Sequence, residues 1–210
     1  MSKHRPLCAA IISCLFAPLL QGAAPELGEV VGDNVYTNCE YRVAAMFPGE
    51  PMIRDITYQL GDRSVPAREF YFERDMGLLS VTVTHFADGP DFDQSLLDGA
   101  AAAFRSRGEV RFEFEVAYDV PAIPGRQFSI ALPDGRLLRA HVYMADHHLY
   151  ITEATSDPTD VVAFHFEESV SLIDKNGTDL DTNPVTETNT FGAPAGLPSR
   201  QYDCSRLYRR

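Results

Sequence analysis

Three of the chain's six histidines fall within eight positions: His141, His147 and His148, with Asp146 in the same stretch. Imidazole nitrogens and a carboxylate oxygen are a workable ligand set for zinc or copper. The spacing argues for something plainer. Adjacent residues on a strand project to opposite faces, so His147 and His148 would not converge, and a solvated polar turn is the favoured reading. Metal binding through His141, His147 and His148 stands as the alternative.

Carboxylates come next. Glu113 and Glu115 would project from one face of a strand, about 6 to 7 Å apart, and Glu167 and Glu168 form a second pair. Paired acids at a set separation hydrolyse glycosides, but alternation with core phenylalanines already explains Glu113 and Glu115 as the wet side of a strand. Asp174, Asn176, Asp179, Asp181 and Asn183 suggest calcium by composition, yet an EF-hand frame puts Asp179 or Pro184 where glycine is required. Asn176-Gly177-Thr178 matches a glycosylation acceptor and is given little weight. Ser80, Ser129 and Ser169 lack a recognisable base and orienting acid. No G-x-S-x-G elbow, H-E-x-x-H pair, phosphate-binding glycine loop or C-x-x-C pair occurs. No catalytic residue and no cofactor are expected; a hydrolase with an unrecognised site is the remaining alternative.

The N-terminus reads as a secretory signal over residues 1–23. Lys3 and Arg5 precede an apolar run from Leu7 to Leu20, and Gln21-Gly22-Ala23-Ala24 supplies small residues for cleavage. The run falls short of the ~20 residues of a spanning helix, and Pro18 interrupts it, so no membrane insertion is expected after signal removal. Ile11-Ile12-Ser13-Cys14 resembles a lipid-attachment box, but the apolar residues behind Cys14 argue against lipidation. The expected product is a soluble periplasmic or secreted domain of about 185 residues, enough for one core. At a net charge of -12 before cleavage, nucleic acid and anionic membrane are poor partners.

Cleavage removes Cys8 and Cys14. The remaining Cys39 and Cys204, in an oxidising compartment, are expected to form a disulfide. Closing so long a loop contributes on the order of 4 to 5 kcal/mol in the chain-entropy account.

These residues need a scaffold, and period-two alternation supplies it. Tyr41, Val43, Ala45 and Phe47 share one strand face ending at Pro48-Gly49-Glu50-Pro51, and a second strand lies near Arg68 to Arg74. A turn at Asp75-Met76-Gly77 leads into Leu78 to Phe86. Between Asp91 and Gly108 the period becomes helical through Phe92, Leu96, Ala100, Ala103 and Phe104, with Asp91 and Asp93 as candidate caps. Val110, Phe112, Phe114 and Val116 then alternate with Glu109, Arg111, Glu113 and Glu115, predicting an apolar inner face and a wet charged one. Pro133-Asp134-Gly135 joins Gln127–Leu132 to Leu137–Met144, and Ala145-Asp146-His147 turns into Leu149–Ala154. Asp157-Pro158 reads as the start of a second packed helix through Val161, Val162, Phe164 and Phe166. The whole predicts one α+β domain over residues 36–173: an antiparallel sheet of about six to seven strands, covered on one face and flanked by two helices. Residues 174–210 form a polar tail, with Cys204, Tyr202, Leu207 and Tyr208 as anchors.

The order of features resembles exported bacterial domains with the fold of PsbP, the extrinsic protein of the photosynthetic oxygen-evolving complex. The matching pieces are Phe47-Pro48-Gly49-Glu50-Pro51, Pro124-Gly125-Arg126, the Tyr143 to Tyr150 hairpin and Phe166-Glu167-Glu168-Ser169. The resemblance implies an antiparallel sheet flanked by helices, used for binding or assembly, and transfers no catalytic residue and no photosynthetic role. A non-catalytic domain binding a protein or small ligand through a sheet edge or a cleft beside the helices is the leading expectation.

Overall fold

The computed structural model describes residues 29–31, 35–75, 77–86, 93–119, 122–180, 201, 202 and 204. The predicted signal segment, Cys14, Asp91, Phe92, Asp181, Asn183, Leu207 and Tyr208 lie outside the described residues. The elements run β1 (Glu29–Val31), β2 (Val35–Asn38), β3 (Val43–Met46), β4 (Met52–Leu60), β5 (Arg63–Arg74), β6 (Gly77–His85), α1 (Gln94–Arg105), β7 (Glu109–Asp119), β8 (Ala122–Ala131), β9 (Leu137–Ala145), β10 (His148–Ser156), α2 (Val161–Ser169) and β11 (Ser171–Leu172). Seven strands pair antiparallel in the order β4-β5-β6-β10-β9-β8-β7, and a smaller sheet runs β1-β2-β3-β11. The α+β class and the antiparallel sheet of about seven strands stand as expected.

Alternation along the strands creates two different faces. On one, Phe128, Ile130, Leu138, Ala140, Val142, Met144, Leu149 and Ile151 pack against α1 through Leu96, Leu97, Ala100 and Phe104. On the other, Phe70, Leu79, Val81, Val83 and Tyr150 meet the small sheet through Tyr36, Val43 and Phe47, and α2 through Ala163 and Phe166. The large sheet is thus covered on both faces, where the sequence had suggested one. The small sheet makes the difference: β2 is too short to register in an alternation count, yet Tyr36 packs against both Phe47 and Phe70.

α1 follows its predicted spacing. Asp93 is the cap, accepting from the Ser95 amide at 2.8 Å, and the helix ends at Ser106 rather than Gly108. Its buried stripe is Leu96, Leu97, Ala100, Ala101 and Phe104, so Leu97 and Ala101 take the inward place that had been given to Ala103. β4 was not anticipated. Its partner β5 carries Pro66, and proline withholds a ladder amide. Pro66 faces Thr57 of β4 but lies beyond the reach of β6, whose pairing starts at Arg68, so on that side no ladder bond is lost.

The start of the tail is folded. Asp174 Oδ1 accepts from the amides of Asn176 at 2.7 Å and Thr178 at 2.8 Å, which fixes the turn that opens the tail. The chain then returns: Tyr202 N donates to the Gly177 carbonyl at 2.8 Å, and Cys204 bonds to Cys39 with the two Cα atoms 5.6 Å apart. Gly177 has φ +85°, and a side chain there would strike the Tyr202 carbonyl and the Cys204 sulfur, so only glycine closes this junction.

Candidate functional site

The second helix departs from expectation at its start. Asp160 rather than Asp157 is its cap, accepting from the Val162 amide at 2.9 Å and from Arg74 Nη1 at 2.5 Å. Asp157 shapes the preceding turn by accepting from Thr159 N at 2.9 Å and Thr159 Oγ1 at 2.6 Å. With the helix set in this phase, Ala163, Phe166 and Glu167 point inward. Val161, Val162 and Phe164, expected in the core, are instead 64%, 38% and 46% exposed. Residues 161, 162, 164 and 166 do not lie on one stripe of a helix with 3.6 residues per turn, which is why they cannot all be buried.

Glu167 enters a polar cluster on the sheet face beneath α2. Register places Phe114 of β7, Gln127 of β8, His141 of β9 and Thr152 of β10 side by side on this face. Gln127 Nε2 donates to Glu167 Oε1 at 3.1 Å, Arg139 Nε lies 3.5 Å from Oε2, and His141 Nε2 lies 3.7 Å from Oε1. Burial drives the Glu167 carboxyl above its ordinary range, against the pull of the Gln127 hydrogen bond and the Arg139 charge. Burial also pushes the His141 imidazole down to about 4. Arg139 reaches the Pro158 carbonyl at 3.5 Å through Nη2, while its buried Nη1 has no hydrogen-bond partner among the described residues. A carboxylate, a guanidinium, a carboxamide and a neutral imidazole can bind and orient a polar group. Ser80 projects from the opposite face of the sheet, paired with Glu153, and the Ser169 hydroxyl donates to the Phe166 carbonyl while accepting from Met46 N.

Beyond this cluster the same face lies open. Phe112 and Phe114 of β7 are 58% and 55% exposed, their rings stacked with centroids 6.1 Å apart. The expected orientation of β7 is reversed: its phenylalanines meet solvent, while Glu113 turns toward α1 and is held by Arg105 through a bidentate contact. That hydrogen-bonded pairing pulls the Glu113 carboxyl below its usual range. Arg126 Nη2 lies 3.2 Å from Asp98, and its Nη1 lies 3.7 Å from Glu113 and 3.3 Å from Glu115. A bulge between Val110 and Phe112 also moves Val110 off the phenylalanine line, opposite Ile130. Period-two patterning reveals that a strand has two faces; basic partners on α1 and β8 decide which one is inside.

The three hairpin histidines part company. His141 pairs with Thr152, whereas His148 pairs with Ala145, four positions farther along the ladder, or about 13 Å at the strand rise. His147 occupies a two-residue turn with Asp146, both at positive φ (63° and 48°). His148 Nδ1 lies 2.6 Å from the Asp146 carbonyl, and since a carbonyl only accepts, Nδ1 carries the proton. Burial, then the nearby charges of His85, Arg42 and His147, push His148 down to about 4. Among the described residues no group of three histidine, cysteine, aspartate or glutamate side chains is arranged to hold a metal ion.

Sequence reading missed two partners. His85 stacks on His148 with ring centroids 4.5 Å apart, because the two residues face each other across β6 and β10. Arg42, at φ 55° in the turn between β2 and β3, forms an ion pair with Asp146 and ties the small sheet to the histidine turn. Gln127 and Arg139 likewise carried no local signal beyond polar residues in strands with apolar neighbours. Comparison with family models, with curated proteins and with solved structures gave no match.

Proposed function

We propose that this chain is an exported, non-catalytic protein-binding domain whose contact surface is the open sheet face at β7 and β8. The observation that carries the reading is the exposed pair Phe112 and Phe114 on an edge strand. Large aromatic side chains left in water beside polar groups mark contact surfaces, and here Gln127, directly opposite Phe114, and Arg139 border the pair while Glu167 stays buried beneath α2. Among the described residues β7 pairs with β8 alone, and such an edge offers a row of amides and carbonyls that an extended segment of a partner can complete. Export follows from the N-terminal pattern, and the bond between Cys39 and Cys204 is consistent with an oxidising compartment. The resemblance to PsbP-like domains points the same way. Among the described residues no helix is long and apolar enough to cross a membrane.

The test is capture from an exported-protein fraction by immobilised mature chain, run beside a thermal-shift screen of small ligands. The expected result is a partner retained by the natural chain and lost by the Phe112→Ser, Phe114→Ser double variant. Equal capture by both, or none in either assay, overturns the reading.

A further inference from the structure

We infer that the surface around β7 is completed by a second copy of this chain, pairing β7 with β7 about a two-fold axis centred on Glu113. The inference rests on the protein-binding reading above and names its partner. β7 is eleven residues long and, among the described residues, hydrogen-bonds to β8 on one side only, which leaves its other edge to extend the sheet. In a symmetric antiparallel pair, directly opposed residues share a face and their numbers sum to a constant. Phe112 and Phe114 share one face and Glu113 and Glu115 the other, so an axis must pass through a residue position.

The charges choose among the registers. An axis at Phe114 opposes Glu113 and Glu115 twice, which places like charges face to face. An axis at Phe112 sets Phe114 against Val110, which the bulge has moved to the opposite face. An axis at Glu113 pairs Phe112 with Phe114 twice and Arg111 with Glu115 twice. Arg111, the extra residue at the bulge, has no ion pair among the described residues, while Glu115 is 83% exposed and shares the Arg126 guanidinium with Asp98 and Glu113. The second copy supplies the cation that this acidic group lacks. Glu113 meets its own counterpart at the axis, but Arg105 and Arg126 of each chain already compensate that carboxylate. The result joins two seven-stranded sheets into one and gathers four phenylalanines on its open face.

Sedimentation equilibrium of the mature, disulfide-bonded protein across a concentration series at low salt tests the pairing. The natural chain is expected to dimerise. Arg111→Glu and Glu115→Arg should each weaken association about tenfold or more, and the two together should restore it, because the opposite charges then meet again. Glu113→Cys supplies a second readout: opposed residues on antiparallel strands lie about 4.5 to 5.5 Å apart at Cα, within disulfide reach, so this variant should cross-link to its own copy on oxidation. A natural chain that stays monomeric with no cross-link at position 113 overturns the inference. So does a dimer indifferent to both charge reversals. A monomer that still captures another exported protein through Phe112 and Phe114 leaves the binding reading standing; a monomer that captures nothing removes both.

Discussion

The two helices cover the two faces of the same sheet, and they are built in opposite senses. α1 buries Leu96, Leu97, Ala100, Ala101 and Phe104 and turns its polar residues to water. α2 buries a glutamate and leaves Val161, Val162 and Phe164 outside. The first arrangement is what hydrophobic burial alone produces. The second puts a carboxylate where an apolar residue would pack and spends apolar side chains on the surface. α1 therefore closes the core, while α2 roofs a polar cluster and borders an open face.

If α1 is held by burial alone, truncating its anchor should have the largest effect. Phe104 is fully buried and stacks on Phe128 with centroids 5.4 Å apart. Phe104→Ala should cost about 3 to 5 kcal/mol, read by chemical denaturation with the disulfide intact. A loss under about 1 kcal/mol would mean that α1 is not the main cover of its face.

The α2 side should instead respond to pH. His141 titrates near 4 in the folded chain and near 6.5 in the unfolded one, so between those values the unfolded chain binds the extra proton. Stability must fall as pH drops from 6.5 to 4. The full shift corresponds to about 3 kcal/mol. Glu167 acts oppositely: its folded value is raised, so the folded chain keeps that proton longer and regains stability as pH falls. His141→Gln should flatten the loss between pH 6.5 and 4, and Glu167→Gln should steepen it. Unchanged slopes in both variants would show that the cluster is solvated and that α2 roofs nothing.

The caps sharpen the contrast on a smaller scale. Asp93 caps α1 in the open and its loss to alanine should cost about 1 kcal/mol. Asp160 caps α2 with its side chain only 9% exposed and also holds Arg74 at 2.5 Å. Asp160→Ala should therefore cost more, about 2 kcal/mol. Equal costs by thermal unfolding would remove the Arg74 contribution.

How much of this could be read beforehand depended on whether a property is local. Leu79, Val81 and Val83 announced a strand with a buried face, and Leu96, Ala100 and Phe104 announced α1, because each pattern is complete within one element. Cys39 and Cys204 could be paired because no others survive the predicted cleavage. The direction of β7 was misread, since nothing in Val110 to Val116 records where Arg105 and Arg126 will stand. The polar cluster was invisible for the same reason: Gln127, Arg139, His141 and Glu167 come from β8, β9 and α2 and meet only through strand register and helix docking. His85 and His148, sixty-three positions apart in sequence, are neighbours only after β6 pairs with β10.

Phe164 gives the finest test of the helix contrast, because its neighbour two positions on does the opposite. Phe166 is 1% exposed and packs on Phe47 with centroids 4.9 Å apart, so Phe166→Ala should cost about 3 to 5 kcal/mol, like its counterpart in α1. Phe164 is 46% exposed, its ring at the surface beside His165 with centroids 6.0 Å apart. Phe164→Ser removes little buried area and should change stability by less than about 0.5 kcal/mol. An apolar side chain that folding does not need is one that a contact surface can use. If Phe164→Ser instead cost more than about 1 kcal/mol, Phe164 would belong to the core and α2 would be an ordinary packed helix.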